Sequence, residues 1–157
     1  MPRDRRALTS AKIRLNLITV THDTAELLRA HGIQPSAQRV AVADYVLHTE
    51  EHPSADQVFQ RVKGKIPVLS RATVYNTLNV LVEKGLLRQL ALSEGNVVFD
   101  PRVEAHHHFI DEQSGQIHDV PWSALRVSSV DALSDFDVRE YQVVMRGRRR
   151  RPGTSSK

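Results

Sequence analysis

Hydrophobic positions in the first hundred residues recur at helical spacing. A short helix is expected over Asp23–His31, stopped by Gly32, and Ser36 in the turn Gln34-Pro35-Ser36 can cap a second. That second helix runs to about Thr49, with Val40, Ala43, Val46 and Leu47 on one face. His52-Pro53 breaks the chain. Ser54-Ala55-Asp56-Gln57 has the form of a capping box, and Ala55, Val58, Phe59 and Val62 follow at i, i+3, i+4 and i+7. Ser70 caps a further helix that buries Val74, Leu78, Leu81 and Val82 and closes at Lys84-Gly85, a cation in the last turn and glycine just past it. Leu86–Leu92 and Val97–Phe99, separated by Ser93-Glu94-Gly95-Asn96, read as a hairpin. Helices followed directly by a two-stranded wing is the order of a winged helix-turn-helix.

Beyond Asp100 the pattern changes. Pro101–Ala105 reads as a hinge, His107–Asp111 and Gln116–Val120 as short strands around Ser114-Gly115, Trp122–Leu133 as a helix and Val138–Met145 as a last strand. The fold class expected is α+β: an arm over 1–22, a winged helix-turn-helix domain over 23–100, the hinge over 101–105, a small α/β domain over 106–147 and a basic, disordered tail over 148–157.

Composition narrows the chemistry. The formal charge of +4 is compatible with a polyanionic partner, though charge alone does not establish one. The chain has no cysteine, which excludes disulfides, thiolate zinc sites, iron–sulfur clusters and thiol catalysis. No apolar run approaches the roughly 18 residues needed to cross a bilayer. Leu15–Val20 is too short and polar for a signal-peptide core, so a cytoplasmic protein is expected.

Two constellations carry candidate function. Opposite the apolar stripe of the Ser70–Lys84 helix lie Ala72, Asn76 and Asn79, with Tyr75 on the flank, short groups able to reach base edges in a major groove. Gln38 and Arg39, at the start of an earlier helix, would hold the backbone. The same polar face could instead be the solvated side of a plain bundle, and the hairpin that follows tilts the reading toward DNA. The second constellation is histidine-rich. Alternate residues of a strand share a face, so His106 and His108 point one way and His107 the other, with Asp119 on the neighbouring strand within reach of the pair. Asp100 at the hinge and His52 at the inter-helix turn are placed to complete the set. Three imidazoles and two carboxylates suit iron(II) or manganese(II), with zinc also able to occupy such a site in vitro. His22, His31, His48 and His118 read as solvated or structurally satisfied.

Pro35-Ser36-Ala37-Gln38-Arg39 and Ser70-Arg71-Ala72-Thr73-Val74-Tyr75-Asn76-Thr77-Leu78 resemble the two signature stretches of the ferric uptake regulator family. The likeness continues through Gly85-Leu86-Leu87 and Phe99-Asp100…His106-His107-His108, roughly residues 23 to 146. The resemblance implies a metal-responsive repressor, not an enzyme, that binds double-stranded palindromic DNA as a homodimer without a membrane. It implies that the second domain dimerises, and that the helix carrying Arg71, Thr73, Tyr75 and Asn76 reads DNA. His52, Asp100, His106, His108 and Asp119 match the family's regulatory metal site, most closely in its peroxide-sensing branch.

Departures matter as well. The family's Cys-x-x-Cys pair aligns with Asp111 and Ser114, so the structural four-cysteine zinc is absent, and a histidine of the last strand aligns with Tyr141. The cysteine-free end, the histidine run and the basic C-terminus resemble the haem-responsive iron response regulator branch, which makes haem the alternative ligand. A metal-independent winged-helix binder is a further alternative. A metalloenzyme is the rival from another class, but the chain has no His-Glu-x-x-His run and no nucleophile pattern.

Overall fold

A computed structural model describes residues 23–93, 95–130 and 133–150; the arm over 1–22 and most of the basic tail lie outside the described residues. The chain divides into two units between Val103 and Glu104.

The first unit holds α1 (23–30), α2 (Ala37–Leu47), α3 (Ala55–Lys63), α4 (Arg71–Glu83) and a hairpin of β1 (Arg88–Ser93) with β2 (Asn96–Asp100). Ser36, Ser54 and Ser70 each accept a backbone N–H of the helix that follows, and the reciprocal Gln57 bond makes the second of these a complete capping box. Two helices end alike. Gly32 and Gly85 both take φ of +71°, a left-handed conformation that glycine adopts without steric cost. The turn lets Ile33 donate to Leu28 (2.8 Å) and Leu86 to Leu81 (2.9 Å), capping the last carbonyls. The same turn folds an apolar side chain back onto each helix: Ile33 and Leu28 are both buried, and Leu86 packs on the core that holds Leu81.

That core joins α1 to α4 and the hairpin through Leu28, Val42, Val46, Val58, Val74, Leu78 and Phe99. On α4 the buried stripe is Val74, Thr77, Leu78 and Leu81, whereas Val82 is only half-buried. Thr77 tolerates burial because its hydroxyl donates to the Thr73 carbonyl at 2.7 Å. The hairpin starts two residues later than the apolar run suggests, because Leu86 belongs to the helix cap. Its strands pair antiparallel, with Gln89 opposite Phe99 and Ser93 opposite Asn96, and the register shifts between Ala91 and Ser93. Asn96 is therefore a strand residue rather than part of the loop.

The second unit is a three-stranded sheet in the order β4-β3-β5, with β3 (His106–Asp111) central, β4 (Ile117–Pro121) antiparallel to it and β5 (Val144–Gly147) parallel. Asp111 closes the β3–β4 turn. Its carboxylate accepts the Gln113 N–H (3.0 Å) and the Ser114 hydroxyl (2.8 Å). Two expectations fail here. Among the described residues of Trp122–Leu133 no α-helix forms; the span opens with a 3-10 turn, Trp122–Ala124, and Val130 is again 3-10. Leu125 is extended, Ser129 sits at φ +66°, and Val127-Ser128-Ser129-Val130 is poor in helix formers. The last strand covers Val144–Gly147 instead of Val138–Met145. The ladder stops at Val144 because the Val143 N–H donates to the His107 imidazole (3.2 Å) rather than to a backbone carbonyl.

Candidate metal centre and nucleic-acid interface

In the first unit, His52 precedes a proline and so stays extended. The Pro53 carbonyl accepts the Phe99 N–H at 2.9 Å, which ties this turn to β2. The tie brings His52 beside Asp100, with Nε2 and Oδ2 3.5 Å apart and side chains 3% and 1% exposed. Asp100 Oδ1 accepts the Arg102 N–H at 2.8 Å, which orients the carboxylate.

In the second unit, the period of two in β3 sets His106 and His108 on one face, their rings 4.5 Å apart and edge-on. Asp119 lies opposite His108 in the β3–β4 register, and its Oδ1 is 3.5 Å from His106 Nε2. His106 Nδ1 meets the Glu104 carbonyl at 2.8 Å. A carbonyl only accepts, so Nδ1 carries a proton, and Nε2 is the nitrogen turned toward the Asp119 carboxylate. The spacing suits a shared ion: two ligands each roughly 2.1 Å from a metal, at tetrahedral to octahedral angles, stand about 3–3.5 Å apart.

His107 occupies the opposite face. It is fully buried, stacks on Trp122 at 4.5 Å, and Trp122 in turn lies 4.7 Å from Tyr141. Its Nδ1 accepts the Val143 N–H, which makes Nε2 the protonated nitrogen. The position aligned with the family's last-strand histidine, Tyr141, thus belongs to an aromatic cluster. His31 and His48 bond the carbonyls of Leu27 and Asp44, each one turn back on its own helix, and the His118 ring lies 6.5 Å from the Phe109 ring at an angle of 30°. His22 lies outside the described residues. Around Asp111 the carboxyl is held below its usual range, first by the Ser114 hydroxyl and then by backbone donation from Gln113.

On the proposed reading surface, Tyr75 is 47% exposed and Asn76 is exposed beside it. Thr73 is spent on the cap: its N–H and hydroxyl both meet the Ser70 hydroxyl. The Arg71 guanidinium pairs with Asp56 and lies 4.7 Å over the Phe59 ring, remaining half-exposed at the surface. Gln38 and Arg39 stand in the first turn of α2, half-buried, with Arg39 Nη1 donating to the Gln34 carbonyl at 2.6 Å. Three further side chains, Asn79, Gln89 and Asn96, face a cleft with Tyr75. For Asn79 the signal in the sequence is its i+4 spacing from Tyr75; the hairpin residues gave none.

A model of the ferric uptake regulator family matches residues 30–146. The peroxide-responsive repressor PerR of Staphylococcus aureus is 32% identical over 122 residues, spanning 76% of this chain and 82% of that protein. Among solved structures, a zinc-bound manganese uptake regulator superposes with a TM-score of 0.61 at 21% identity, covering 80% of this chain and 98% of the other. The Helicobacter pylori ferric uptake regulator, described with three functional metal-binding sites, gives a TM-score of 0.60 at 17% identity, covering 90% and 96%. These two share the fold, an N-terminal winged helix followed by a dimerisation domain. The family match over most of the chain agrees with the arrangement of helices, wing and histidine strand, and this chain belongs to the ferric uptake regulator family.

Proposed function

We propose that this chain is a metal-responsive transcriptional repressor that binds a palindromic DNA operator as a homodimer in the cytoplasm. The observation that carries the reading is His106 Nε2 lying 3.5 Å from the Asp119 carboxylate, on a strand face shared with His108. His52 and Asp100 of the first unit repeat the same chemistry, an imidazole 3.5 Å from a buried carboxylate. We assign these five side chains to one regulatory metal. The donor set of three nitrogens and two carboxylates favours iron(II) or manganese(II), and zinc can compete in vitro. The relatives support this choice, since they are a peroxide-responsive repressor and regulators holding or sensing zinc, manganese and iron.

The protein's own groups prepare the site. The Glu104 carbonyl fixes the His106 tautomer, and the Arg102 N–H aims Asp100. When bound, a metal would supply the positive charge that these five donors share. Ligation from both units links occupancy to the arrangement of the reading helices, and the coupling is reciprocal: DNA that favours the ligated arrangement also tightens metal binding. Within the dimer, α4 of each copy would enter a major groove, Tyr75 and Asn76 meeting base edges, with half-sites set by the dimer spacing. Gln38, Arg39 and Arg71 contribute backbone contacts, while Thr73 serves through the cap.

The test is a titration of metal-stripped protein with manganese(II), iron(II), zinc(II) and haem in turn. One divalent ion per chain is expected, lost in Asp100→Ala and in His108→Ala. Equal metal content in both variants and the wild type overturns the ligand assignment, and haem uptake without divalent binding replaces it with a haem response.

A further inference from the structure

Arg71, the first residue of α4, is held from two sides. Its guanidinium pairs with Asp56, and its Cζ lies 4.7 Å from the centre of the Phe59 ring. Phe59 belongs to the buried core, and Lys63 Nζ stands 4.9 Å from the same ring, so two cations converge on one anchored aromatic. Among the described residues Asp56 is the one carboxylate paired with Arg71. The pair is open to water, with side chains 54% exposed for Arg71 and 63% for Asp56. An exposed pair of this kind adds little to the stability of a fold. Its consequence is electrostatic instead. At the start of the reading helix the arginine charge is offset, by a carboxylate that stands in the first turn of α3.

We propose that Asp56 is a brake on DNA affinity: it offsets the charge of Arg71 and so weakens attachment to duplex DNA of any sequence. The inference rests on the reading that Arg71 faces the DNA backbone, and deepens it. In a helix-turn-helix the first helix crosses the backbone while the second enters the groove, so a carboxylate at the start of α3 stands on the phosphate side. A phosphate drawn to the guanidinium meets the carboxylate bound to it, and that repulsion cancels part of the attraction. Cations placed on phosphates displace counterions, and a cation already neutralised displaces fewer. Phe59 keeps the pair from opening freely, because leaving Asp56 for a phosphate also takes the guanidinium off the ring. Asp56 touches no DNA here; it acts through Arg71. A binder switched by a ligand requires weak attachment in the unswitched state, and the brake lowers that floor.

The experiment measures binding of metal-loaded full-length protein to a duplex of roughly 30 base pairs of mixed sequence, and to an operator selected from a random pool, over a range of salt. Asp56→Asn, Arg71→Gln and the double variant are compared with the wild type. Glu50→Gln, which removes the same charge from an exposed carboxylate between α2 and α3, is the control. Circular dichroism checks folding, and Asp56→Ser repeats the test should the amide itself disturb α3. Asp56→Asn should bind both duplexes about three- to thirtyfold more tightly at low salt, with a slope of log K against log salt steeper by about 1–2 for a dimer. Arg71→Gln should weaken both and flatten the slope. Adding Asp56→Asn to Arg71→Gln should then change neither, a coupling that loss of a helix-start carboxylate alone does not produce. Glu50→Gln should match the wild type. Unchanged or weaker binding by Asp56→Asn overturns the inference, as does an equal gain in the Arg71→Gln background or in Glu50→Gln. An Arg71→Gln protein that binds as the wild type does also overturns it, and removes Arg71 from the backbone contacts. If the wild type binds neither duplex under any condition, the parent reading of a DNA binder fails.

Discussion

Replacing His107 by alanine separates two roles within one run of three histidines. The ring is fully buried, stacks on Trp122 at 4.5 Å and accepts the Val143 N–H. Removing it deletes an aromatic contact worth about 1 kcal/mol. It also strands the Val143 N–H, for roughly 1–2 kcal/mol at a half-buried position, so the total loss is about 2–3 kcal/mol. For a unit of this size that corresponds to a fall in Tm on the order of 10 °C or more. Metal affinity should change little, because His107 faces away from His106 and His108. His108→Ala should do the reverse to metal: even outer partners of a ligand are worth about 10–100-fold, so loss of an imidazole itself should exceed about 100-fold. The assay is thermal unfolding of the metal-free variants, followed by fluorescence of Trp122, the chain's one tryptophan, with metal affinity by calorimetry. Metal-free protein is essential, since bound ligand stabilises the folded state on its own account. A His107→Ala protein as stable as wild type refutes the structural role of the His107 ring. A His107→Ala protein that loses metal while His108→Ala keeps it shows that the facing of β3 is inverted.

Other outcomes follow from single contacts. Asn76→Ala and Tyr75→Ala should each lose about 1–3 kcal/mol of preference for the selected operator over mixed DNA while retaining metal and dimer, measured by competition binding. Ser54→Ala removes the hydroxyl that accepts the Gln57 N–H and should lower the stability of the first unit by about 1 kcal/mol, read from the urea midpoint. Asp111 has a carboxyl pKa lowered by its Ser114 and Gln113 bonds, so its contribution to stability is present above the ordinary carboxylate range and is lost as pH falls through the folded value. Asp111→Asn should flatten the acid limb of the stability–pH curve relative to wild type, and an unchanged limb counts against that role.

The first unit was largely legible in the chain because its signals are local. Each serine cap lies within a turn of the donor it satisfies, and the Ala55, Val58, Phe59, Val62 stripe is buried as its spacing implies. Val82 and Thr77 exchanged places because a threonine can bury its hydroxyl against the carbonyl one turn back, a bond that apolar counting does not see. The second unit was less legible. Its central strand followed from the histidine alternation, but β5 depends on which partner takes the Val143 N–H, and that partner lies 36 residues away. The expected helix after Trp122 relied on scattered apolar residues, and the β-branched and serine run over 127–130 outweighed them. Asp119 and His106 were foreseeable as neighbours from strand facing alone. The ring orientation that turns Nε2 toward that carboxylate depends on the Glu104 carbonyl and needed the structure. The cleft residues Gln89 and Asn96 had no sequence signal, since what distinguishes them is the hairpin register.

The most direct test of the central claim is the affinity for a selected operator of protein stripped of metal, compared with the same protein after manganese(II) is added. Manganese(II) should tighten binding by about 5–150-fold, the usual range of a coupling between two sites, with no tightening in His108→Ala. Equal affinity with and without metal in the wild type would contradict it, and would leave a winged-helix DNA binder whose histidine strand has another purpose.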